Sequence, residues 1–376
     1  MQQCKKNGFP RISILLLLAF CAALFAGSAA FAKDSATFFT FAQWSDIHYG
    51  HAQTSEADWD WALADGITNG GQAFVFSGDA TDNKEMTNEQ FLALNERFLR
   101  NYAPIMLGEH KPVLLSYGNN DFYKNYCTDP ENMKPIFALY KKYFGDKYYL
   151  DSVGNGVYGK EIGGMNWITI NSVTFTQWND YAGKEEQGKK TLDWLEMRLN
   201  ALPKDKGVVI VSHVPPTYDL YDKKSSWEKN ALKRFFEILD KSDRRIVILS
   251  GHYHRNEQHA YITEEGDAIP VIDVGGMSEK YGYHGNYRTQ CWRMKNGIPD
   301  LLSWRLRYAN HPEWNHVVYV NEPFAKSTWT SFREALRTND RFFINYMTDF
   351  WPHGDISKAD SERDAVVDEF IINTAI

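Results

Sequence analysis

Five short clusters of side chains that can bind metal ions follow one another along the chain. In order, they are Asp46-Ile47-His48, Gly78-Asp79-Ala80-Thr81-Asp82, Gly118-Asn119-Asn120-Asp121, Ser212-His213 and Gly251-His252-Tyr253-His254. Hard divalent cations prefer oxygen ligands, whereas imidazole suits zinc, iron, nickel and copper. A mixed set of Asp, Asn and His side chains therefore predicts a site for Zn, Mn or Fe rather than Ca.

Seven side chains within these clusters are the candidate metal ligands: Asp46, His48, Asp79, Asn119, His213, His252 and His254. Asp79 can bridge two ions through its two carboxylate oxygens, and Asn119 offers a neutral carbonyl oxygen. Each cluster alone is weak evidence, because Asp-x-His and Gly-Asp pairs are common in ordinary turns. Five clusters in order, each after a short apolar run, indicate a hydrolytic centre with two divalent metal ions.

The short apolar runs have the length and composition of buried strands. They end at Trp44, Ser77, Tyr117, Ser212 and Ser250. Segments with helical spacing alternate with them, so the sequence predicts an α/β fold with all five clusters on loops at one end of a sheet. Hairpin patterns at 148–170 and 258–274 favour two packed β-sheets flanked by helices over a single open sheet.

Residues 1–32 have the pattern of a cleaved signal peptide. Three basic residues precede an apolar stretch, and Ala30-Phe31-Ala32 is a small-residue cleavage pattern. The alternatives are a membrane anchor and a lipid-modified Cys21. The apolar stretch is shorter than the roughly 20 residues needed to cross a bilayer, which favours export. We therefore expect a secreted or periplasmic protein without stable membrane insertion.

The remainder of the chain divides at about residue 298. Residues 33–298 contain all five clusters and are expected to form the domain that holds the metal centre. Residues 299–376 contain none of them. Because the segment from Phe324 to Phe350 is amphipathic and rich in Trp and Phe, residues 299–376 are predicted to form a C-terminal appendage that is mainly helical.

Composition limits the class of protein. The chain has 376 residues, of which 43% are hydrophobic, so it can bury a large core. Removal of residues 1–32 would change the formal net charge from -7 to about -10, which argues against nucleic acid as a partner. Two cysteines remain after that removal, Cys127 and Cys291, and the sequence leaves open whether they form a disulfide bond.

Taken together, the clusters resemble the motifs of the calcineurin-like metallophosphoesterase superfamily, over roughly Phe38 to Asn256. The resemblance implies a two-sheet sandwich with a dinuclear metal centre. It also implies that Asp46, His48 and His254 bind one ion. Asn119, His213 and His252 would bind the other ion, and Asp79 would bridge the two.

A finer similarity is to acid sphingomyelinase and its relatives. It rests on Ser212-His213-Val214-Pro215-Pro216 and, more loosely, on the aromatic tail from Trp329 to Gly354. The chain lacks the saposin-like domain that precedes the catalytic domain in those enzymes. This similarity favours a phosphodiesterase within the superfamily.

The third cluster departs from the superfamily pattern at one catalytic position. The family places a histidine near the leaving group where this chain has Asn120, and an amide has no proton of useful pKa. Asn120 remains the candidate catalytic residue, because it can hydrogen-bond a phosphoryl oxygen or hold a water molecule. His51, His259 and His284 could supply the missing acid, although each fits a surface position better.

Three further interpretations concern residues near the clusters. Asp121 either orients Asn120 or a metal ligand, or caps a turn. Asp82 is expected to support its own loop and is not counted as a ligand. The tryptophans with helical spacing are more typical of core packing than of substrate binding; they are Trp59, Trp61, Trp178, Trp194 and Trp227.

These features predict an exported, metal-dependent phosphoesterase in which a bridging hydroxide attacks phosphorus in line. A phosphodiesterase is preferred, with a small-molecule or lipid phosphoester as substrate. One alternative is a phosphomonoesterase that scavenges phosphate. The alternative from another class is a binding protein that has kept its metal ions and lost turnover, and Asn120 keeps that alternative open.

Overall fold

The computed structural model describes residues 37–82, 86–124, 126–145, 156–217, 226–278, 285–312, 315, 317–329 and 371–372. The chain divides into two units, Met1–Thr37 and Phe38–Ile376, and every described residue except Thr37 belongs to the second. The expected signal peptide, residues 1–32, lies outside the described residues. Within the described ranges, no helix is both long and apolar enough to cross a membrane.

Thirteen strands and five longer helices make up the described fold. The strands are β1 (Thr37–Trp44), β2 (Ala73–Ser77), β3 (Val113–Ser116), β4 (Tyr158–Ile162), β5 (Met165–Ile170), β6 (Val208–Ser212), β7 (Ile246–Ser250), β8 (Glu257–Ile262), β9 (Ala268–Asp273), β10 (Asn286–Lys295), β11 (Ile298–Tyr308), β12 (Val317–Asn321) and β13 (Ile371–Ile372). The helices are α1 (Glu56–Asn69), α2 (Asn88–Gly108), α3 (Pro130–Phe144), α4 (Lys184–Ala201) and α5 (Lys229–Ser242).

The strands form two mixed sheets. Their order is β12-β11-β10-β1-β2-β3 in the first sheet and β13-β8-β9-β7-β6-β5-β4 in the second. Strands β1 to β3 run parallel in the first sheet, and β5, β6, β7 and β9 run parallel in the second. The prediction of an α/β fold with two packed sheets and flanking helices is confirmed.

Strand β2 shows why these runs are apolar at nearly every position. Ala73 and Val75 join a central cluster with residues of the second sheet, whereas Phe74 and Phe76 pack in a separate cluster with residues of α1, α2 and α3. Successive side chains of a strand point to opposite faces, so a strand covered on both faces needs apolar residues throughout. The second sheet is covered in the same way by α4 and α5.

Local signals fix where the helices between these strands begin. The hydroxyl of Ser55 accepts a hydrogen bond from the Asp58 amide at the start of α1. Thr87 and Gln90 form a reciprocal capping box at the start of α2. Such caps satisfy amide groups that have no partner inside the helix. The two caps therefore fix where α1 and α2 begin.

The domain boundary expected at residue 298 is wrong, because the first sheet continues beyond it. Strands β10 and β11 pair antiparallel across a turn at Asn296-Gly297, and β12 pairs with β11. Leu302, Trp304 and Leu306 alternate along β11 and enter the central cluster. Residues 298–321 thus belong to the sandwich and not to a helical appendage. From residue 330 onward, the helices predicted up to Phe350 lie outside the described residues.

Both cysteines of the described residues are free thiols. Cys127 is buried in the segment before α3, and Cys291 lies partly buried on β10. The disulfide bond that the sequence left open is therefore not formed in this structure.

Candidate metal centre

The loops that follow the parallel strands bring the predicted ligands together. In the first group, Oδ1 of Asp46 lies 3.4 Å from Nε2 of His254 and 3.7 Å from Nε2 of His48. The two imidazole Nε2 atoms are 3.1 Å apart. Metal–ligand bonds of about 2.0 to 2.2 Å place tetrahedral donor atoms about 3.3 to 3.6 Å apart. The three distances lie within about 0.2 Å of this range, so the group can hold one metal ion after a small adjustment.

The second group is built around Asp79. Its Oδ2 atom lies 3.3 Å from Nε2 of His213 and 3.7 Å from Nε2 of His48. Nδ1 of His252 is 3.3 Å from Nε2 of His213. Asp79 therefore contacts a histidine of each group, as a bridging carboxylate would.

Asn119 and Asn120 lie in a single 3₁₀ turn, Asn119–Asp121, directly after β3, and both are buried. The backbone amide of Asn120 donates to Oδ1 of Asp79 at 2.8 Å, and its side-chain amide donates to Oδ2 at 2.6 Å. A Cβ atom on Gly118 would come within 2.1 Å of Oδ1 of Asp79. Only glycine permits this approach, so the third cluster packs directly onto the second.

Five of the predicted ligands have a backbone φ in the left-handed region. The angles are 49° at Asp46, 48° at His48, 53° at Asp79, 75° at His252 and 58° at His254. This conformation costs about 1 kcal/mol or more in residues other than glycine, and such strain concentrates at functional sites. The loops thus hold these side chains in positions that relaxed turns would not give them.

Neighbouring groups orient two of the histidines. Nδ1 of His213 donates to the carbonyl oxygen of Ser77 at 2.7 Å, which leaves Nε2 as the atom that faces Asp79. Nδ1 of His48 lies 3.4 Å from Oδ2 of Asp82. Outer groups of this kind fix the ring orientation of metal-binding histidines. Asp82 thus lies beside a ligand of another loop, whereas the sequence predicts that it supports its own loop.

Asp46 supplies a direct test of whether the site fits a cation. Its Oδ2 atom accepts hydrogen bonds from the Ser45 hydroxyl at 2.6 Å and from the His252 amide at 2.8 Å. Its Oδ1 atom is buried and accepts no hydrogen bond from the described residues. A buried carboxylate oxygen without a donor is costly unless a cation compensates it. The residues therefore fit a divalent metal ion.

Asp121 joins the second and third clusters. Its Oδ2 atom accepts hydrogen bonds from the backbone amides of Asp79 and Gly118, each at 2.8 Å, and its Oδ1 atom accepts one from Ala80 at 2.8 Å. Burial, reinforced by the charge of Asp79, raises the pKa of Asp121 to about 7. The carboxylate therefore positions the backbone of a predicted ligand, which is more than the capping of a single turn.

The electrostatics of the site favour a bound cation. Burial tends to raise the pKa of Asp79, but the charges of His213 and His48 outweigh it and lower that pKa to about 2. Burial tends to lower the pKa of His213, and Asp79 and Asp46 raise it to about 9. Burial and the His213 charge lower the pKa of His252 to about 3. Ionised carboxylates and a neutral imidazole are the forms that bind metals.

Two aromatic residues near His252, Tyr126 and Trp178, are not predicted from the sequence to line the site. The hydroxyl of Tyr126 lies 3.4 Å from Nε2 of His252, on the opposite side of the ring from His213. Trp178, which is 44% exposed, packs edge-on against Tyr126 with a centroid distance of 4.9 Å. Core packing is confirmed for Trp59 and Trp227, which are fully buried, but it is wrong for Trp178.

The three histidines considered as substitute acids have separate outcomes. His259 is buried beside Glu257 and Asp273 on the second sheet, so its interpretation as a surface residue is wrong. His51 is partly buried in the turn after His48, where its Nδ1 accepts a hydrogen bond from the Gln53 amide at 3.1 Å. His284 lies outside the described residues.

Comparisons with known proteins agree with this geometry. Residues 39–256, more than half of the chain, match the family model of the calcineurin-like phosphoesterases. The structure is similar to a dimetal phosphatase from Danio rerio, with 14% sequence identity, a TM-score of 0.54, and coverage of 76% of this chain and 99% of that chain. At this identity, the likeness shows a shared fold. None of the curated protein sequences matches the chain.

Two further structures match with lower scores. A phosphopantetheinyl hydrolase from Mycobacterium tuberculosis has 13% identity and a TM-score of 0.39, over 63% of this chain and 89% of that chain. A 5'-nucleotidase from Candida albicans has 16% identity and a TM-score of 0.38, over 87% of this chain and 57% of that chain. The family match over residues 39–256 and the grouped ligands show that this chain is a metal-dependent phosphoesterase of the calcineurin-like family.

Proposed function

We propose that this protein is an exported phosphodiesterase that hydrolyses a phosphate diester to a monoester at the centre around Asp79. Hydrolysis is supported by one observation: six predicted ligands lie together, with neighbouring donor atoms 3.1 to 3.9 Å apart. They are Asp46, His48, Asp79, His213, His252 and His254. Two divalent ions bound there would lower the pKa of a bridging water and stabilise negative charge on the phosphate oxygens.

We assign the ligands in two groups. Asp46, His48 and His254 hold one ion, and Asn119, His213 and His252 hold the other; Asp79 is shared. The near-equal contacts of Asp79 with His48 and His213, at 3.7 and 3.3 Å, support its shared role. Two carboxylates, four imidazoles and one amide form a donor set that suits Zn, Mn or Fe.

Asn120 determines which esters this centre cleaves well. Its side-chain amide donates to Oδ2 of Asp79, so it orients that carboxylate and supplies no proton to a leaving oxygen. His259 cannot replace it, because that ring faces Glu257 and Asp273. Without a proton donor at this position, hydrolysis is fastest for esters whose leaving group is stable as an anion. Asn120 acts by hydrogen bonding rather than by acid catalysis.

Two features support a diester whose alcohol part is large. The sequence of Ser212 to Pro216 is similar to the corresponding segment of acid sphingomyelinases. Tyr126 and the half-exposed Trp178 add an aromatic surface beside His252, against which an apolar headgroup or a nucleobase can pack. Lipid phosphodiesters and nucleotides are therefore the candidate substrates. The tail similarity lies, after Trp329, outside the described residues.

Hydrolysis assays with a matched pair of variants test this function. A protein that begins at Lys33 is loaded with Zn, Mn or Fe and assayed on bis-p-nitrophenyl phosphate, p-nitrophenyl phosphate, sphingomyelin and a nucleotide diester. We expect chelator-sensitive activity with the diesters cleaved faster than the monoester. Asp46→Asn should abolish it, and Asp205→Asn, at an exposed carboxylate, should leave it unchanged.

Two other outcomes would support the alternatives. Faster cleavage of the monoester would identify a phosphomonoesterase. Two bound ions without turnover on any ester would identify a binding protein.

Export is tested separately by sequencing the amino terminus of the protein recovered outside the cytoplasm. The signal pattern of residues 1–32 supports a start near Lys33, and an intact Met1 in all of the protein would contradict export.

A further inference from the structure

A third group of buried metal-binding side chains lies on β8 and β9. Glu257, His259 and Asp273 are 1%, 3% and 1% exposed. Glu257 faces Asp273 directly in the antiparallel register, and His259 lies two residues further along β8. Because side chains two residues apart share a face of a strand, the three side chains lie on one face of the second sheet. None of these three residues is a predicted ligand of the dinuclear centre.

The distances from His259 to the two carboxylates are similar to those within the dinuclear centre. Nε2 of His259 lies 3.2 Å from Oδ2 of Asp273 and 3.4 Å from Oε2 of Glu257. The corresponding distances around His254 and His213 are 3.4 and 3.3 Å. Bonds of about 2.0 to 2.2 Å from one tetrahedral ion to its ligands produce donor distances of about 3.3 to 3.6 Å. One imidazole nitrogen and two carboxylate oxygens are thus placed as ligands of one ion.

The charge of the group also calls for a cation. Two buried carboxylates carry two negative charges, and a proton on His259 would leave one of them uncompensated within the group. The guanidinium of Arg255 reaches Glu257 at 3.9 Å, and it is 26% exposed. Buried charges are costly unless they are paired or bind a metal. A divalent ion bound by a neutral imidazole and two carboxylates has no excess charge.

Two neighbouring oxygen atoms point to the same conclusion. Ser250 of β7 is the register partner of Asp273. Oγ of Ser250 and Oδ1 of Asp273 are both buried, and neither makes a hydrogen bond of ordinary length with the described residues. These two oxygens lie beside the carboxylate of Asp273, so they are close to the position that an ion would occupy.

We propose that Glu257, His259 and Asp273 bind a third divalent transition-metal ion with a structural role. The ion would tie the start of β8 to the end of β9. Strand β8 begins three residues after His254, and the segment after β9 donates the Ser278 amide to the carbonyl oxygen of Asp46 at 3.1 Å. An ion at this position would therefore stabilise two of the loops that carry the dinuclear centre.

Metal counting by mass spectrometry of the purified protein, dialysed against trace zinc, tests this inference. We expect three ions per chain in the unaltered protein and two in His259→Asn and in Glu257→Gln. His110→Asn, at an exposed histidine, is the matched control and should keep three. A double variant of the dinuclear centre, Asp46→Ala with His213→Ala, should keep one ion.

One pattern of metal counts would contradict the third metal site. Two ions in the unaltered protein, unchanged in His259→Asn and absent from the double variant, would overturn the inference and identify the group as a proton-bridged ion pair. Glu257→Gln is close to isosteric with the native residue and gives the answer if His259→Asn does not fold. Thermal unfolding with and without zinc supplies a second measure: the double variant should be stabilised by zinc, and its Glu257→Gln derivative should not.

Discussion

Replacement of Tyr126 by phenylalanine should weaken metal binding at the His213 and His252 group by about tenfold. Nδ1 of His252 faces His213 at 3.3 Å, so Nε2 is the atom left to carry the ring proton. The Tyr126 oxygen lies 3.4 Å from that Nε2 and can accept the proton in a hydrogen bond. This contact fixes both the tautomer and the orientation of the ring.

The expected magnitude follows from the length of that contact. Loss of an outer hydrogen bond to a metal-binding histidine costs roughly 10-fold to 100-fold in affinity. At 3.4 Å, the contact is longer than the usual N–H···O distance of about 2.9 to 3.0 Å. The lower end of the range therefore applies. A tenfold loss corresponds to about 1.4 kcal/mol.

Competition between the metal-free protein and a chromophoric chelator measures this effect. Tyr253→Phe is the control, because the Tyr253 hydroxyl lies 3.2 Å from Oγ of Ser226. We expect Tyr126→Phe to weaken one of the two binding steps and to recover activity when metal is saturating. Equal affinities for Tyr126→Phe and the unaltered protein, or equal losses in the two variants, would refute the positioning role.

Four other perturbations have defined outcomes. Asn120→His should increase kcat/KM about 100-fold or more for alkyl esters and much less for nitrophenyl esters, so the dependence of rate on leaving-group pKa should flatten; an unchanged slope contradicts this. Trp178→Ala should raise KM for bulky diesters and leave kcat for small ones unchanged, as steady-state kinetics would show. Gly118→Ala should lower kcat at least 100-fold, because its Cβ would displace Asp79, whereas Gly108→Ala meets no atom within 4 Å and should be neutral in the same assay. In metal-free protein, the lowered pKa of Asp79 stabilises the fold above pH 4, and this stabilisation is lost as the pH falls towards 2. Denaturant unfolding at the two pH values should show that the free energy of unfolding of Asp79→Asn falls by about 2 kcal/mol less than that of the unaltered protein.

The two-sheet sandwich can be predicted because two sequence signals identify its strands, an apolar run and the turn that ends it. Phe74, Val75 and Phe76 are apolar on both faces, and the Gly78-Asp79 turn then ends the run. An apolar run followed at once by a ligand cluster recurs at Ser212 and Ser250. Since parallel strands end at one edge, the sequence alone indicates that the clusters meet there. The resemblance of those clusters to a known superfamily supplied the pairing of ligands that strand order alone does not give.

Other features depend on tertiary contacts that the sequence does not display. Tyr126 is a single aromatic residue between clusters, and its partner His252 is 126 positions away. His259 looks like a surface histidine until strand pairing brings Asp273 beside it. The absence of ligand clusters after residue 298 favours a separate tail, although Leu302, Trp304 and Leu306 alternate as in a strand. Backbone strain at the ligands also leaves no mark in the sequence.

Anomalous X-ray diffraction from metal-loaded crystals tests the dinuclear centre most directly. Two peaks about 3.5 to 4 Å apart should flank Asp79, one beside Asp46, His48 and His254, and the other beside His213 and His252. Crystals of active protein that show a single peak, or none, at Asp79 would contradict a two-metal mechanism.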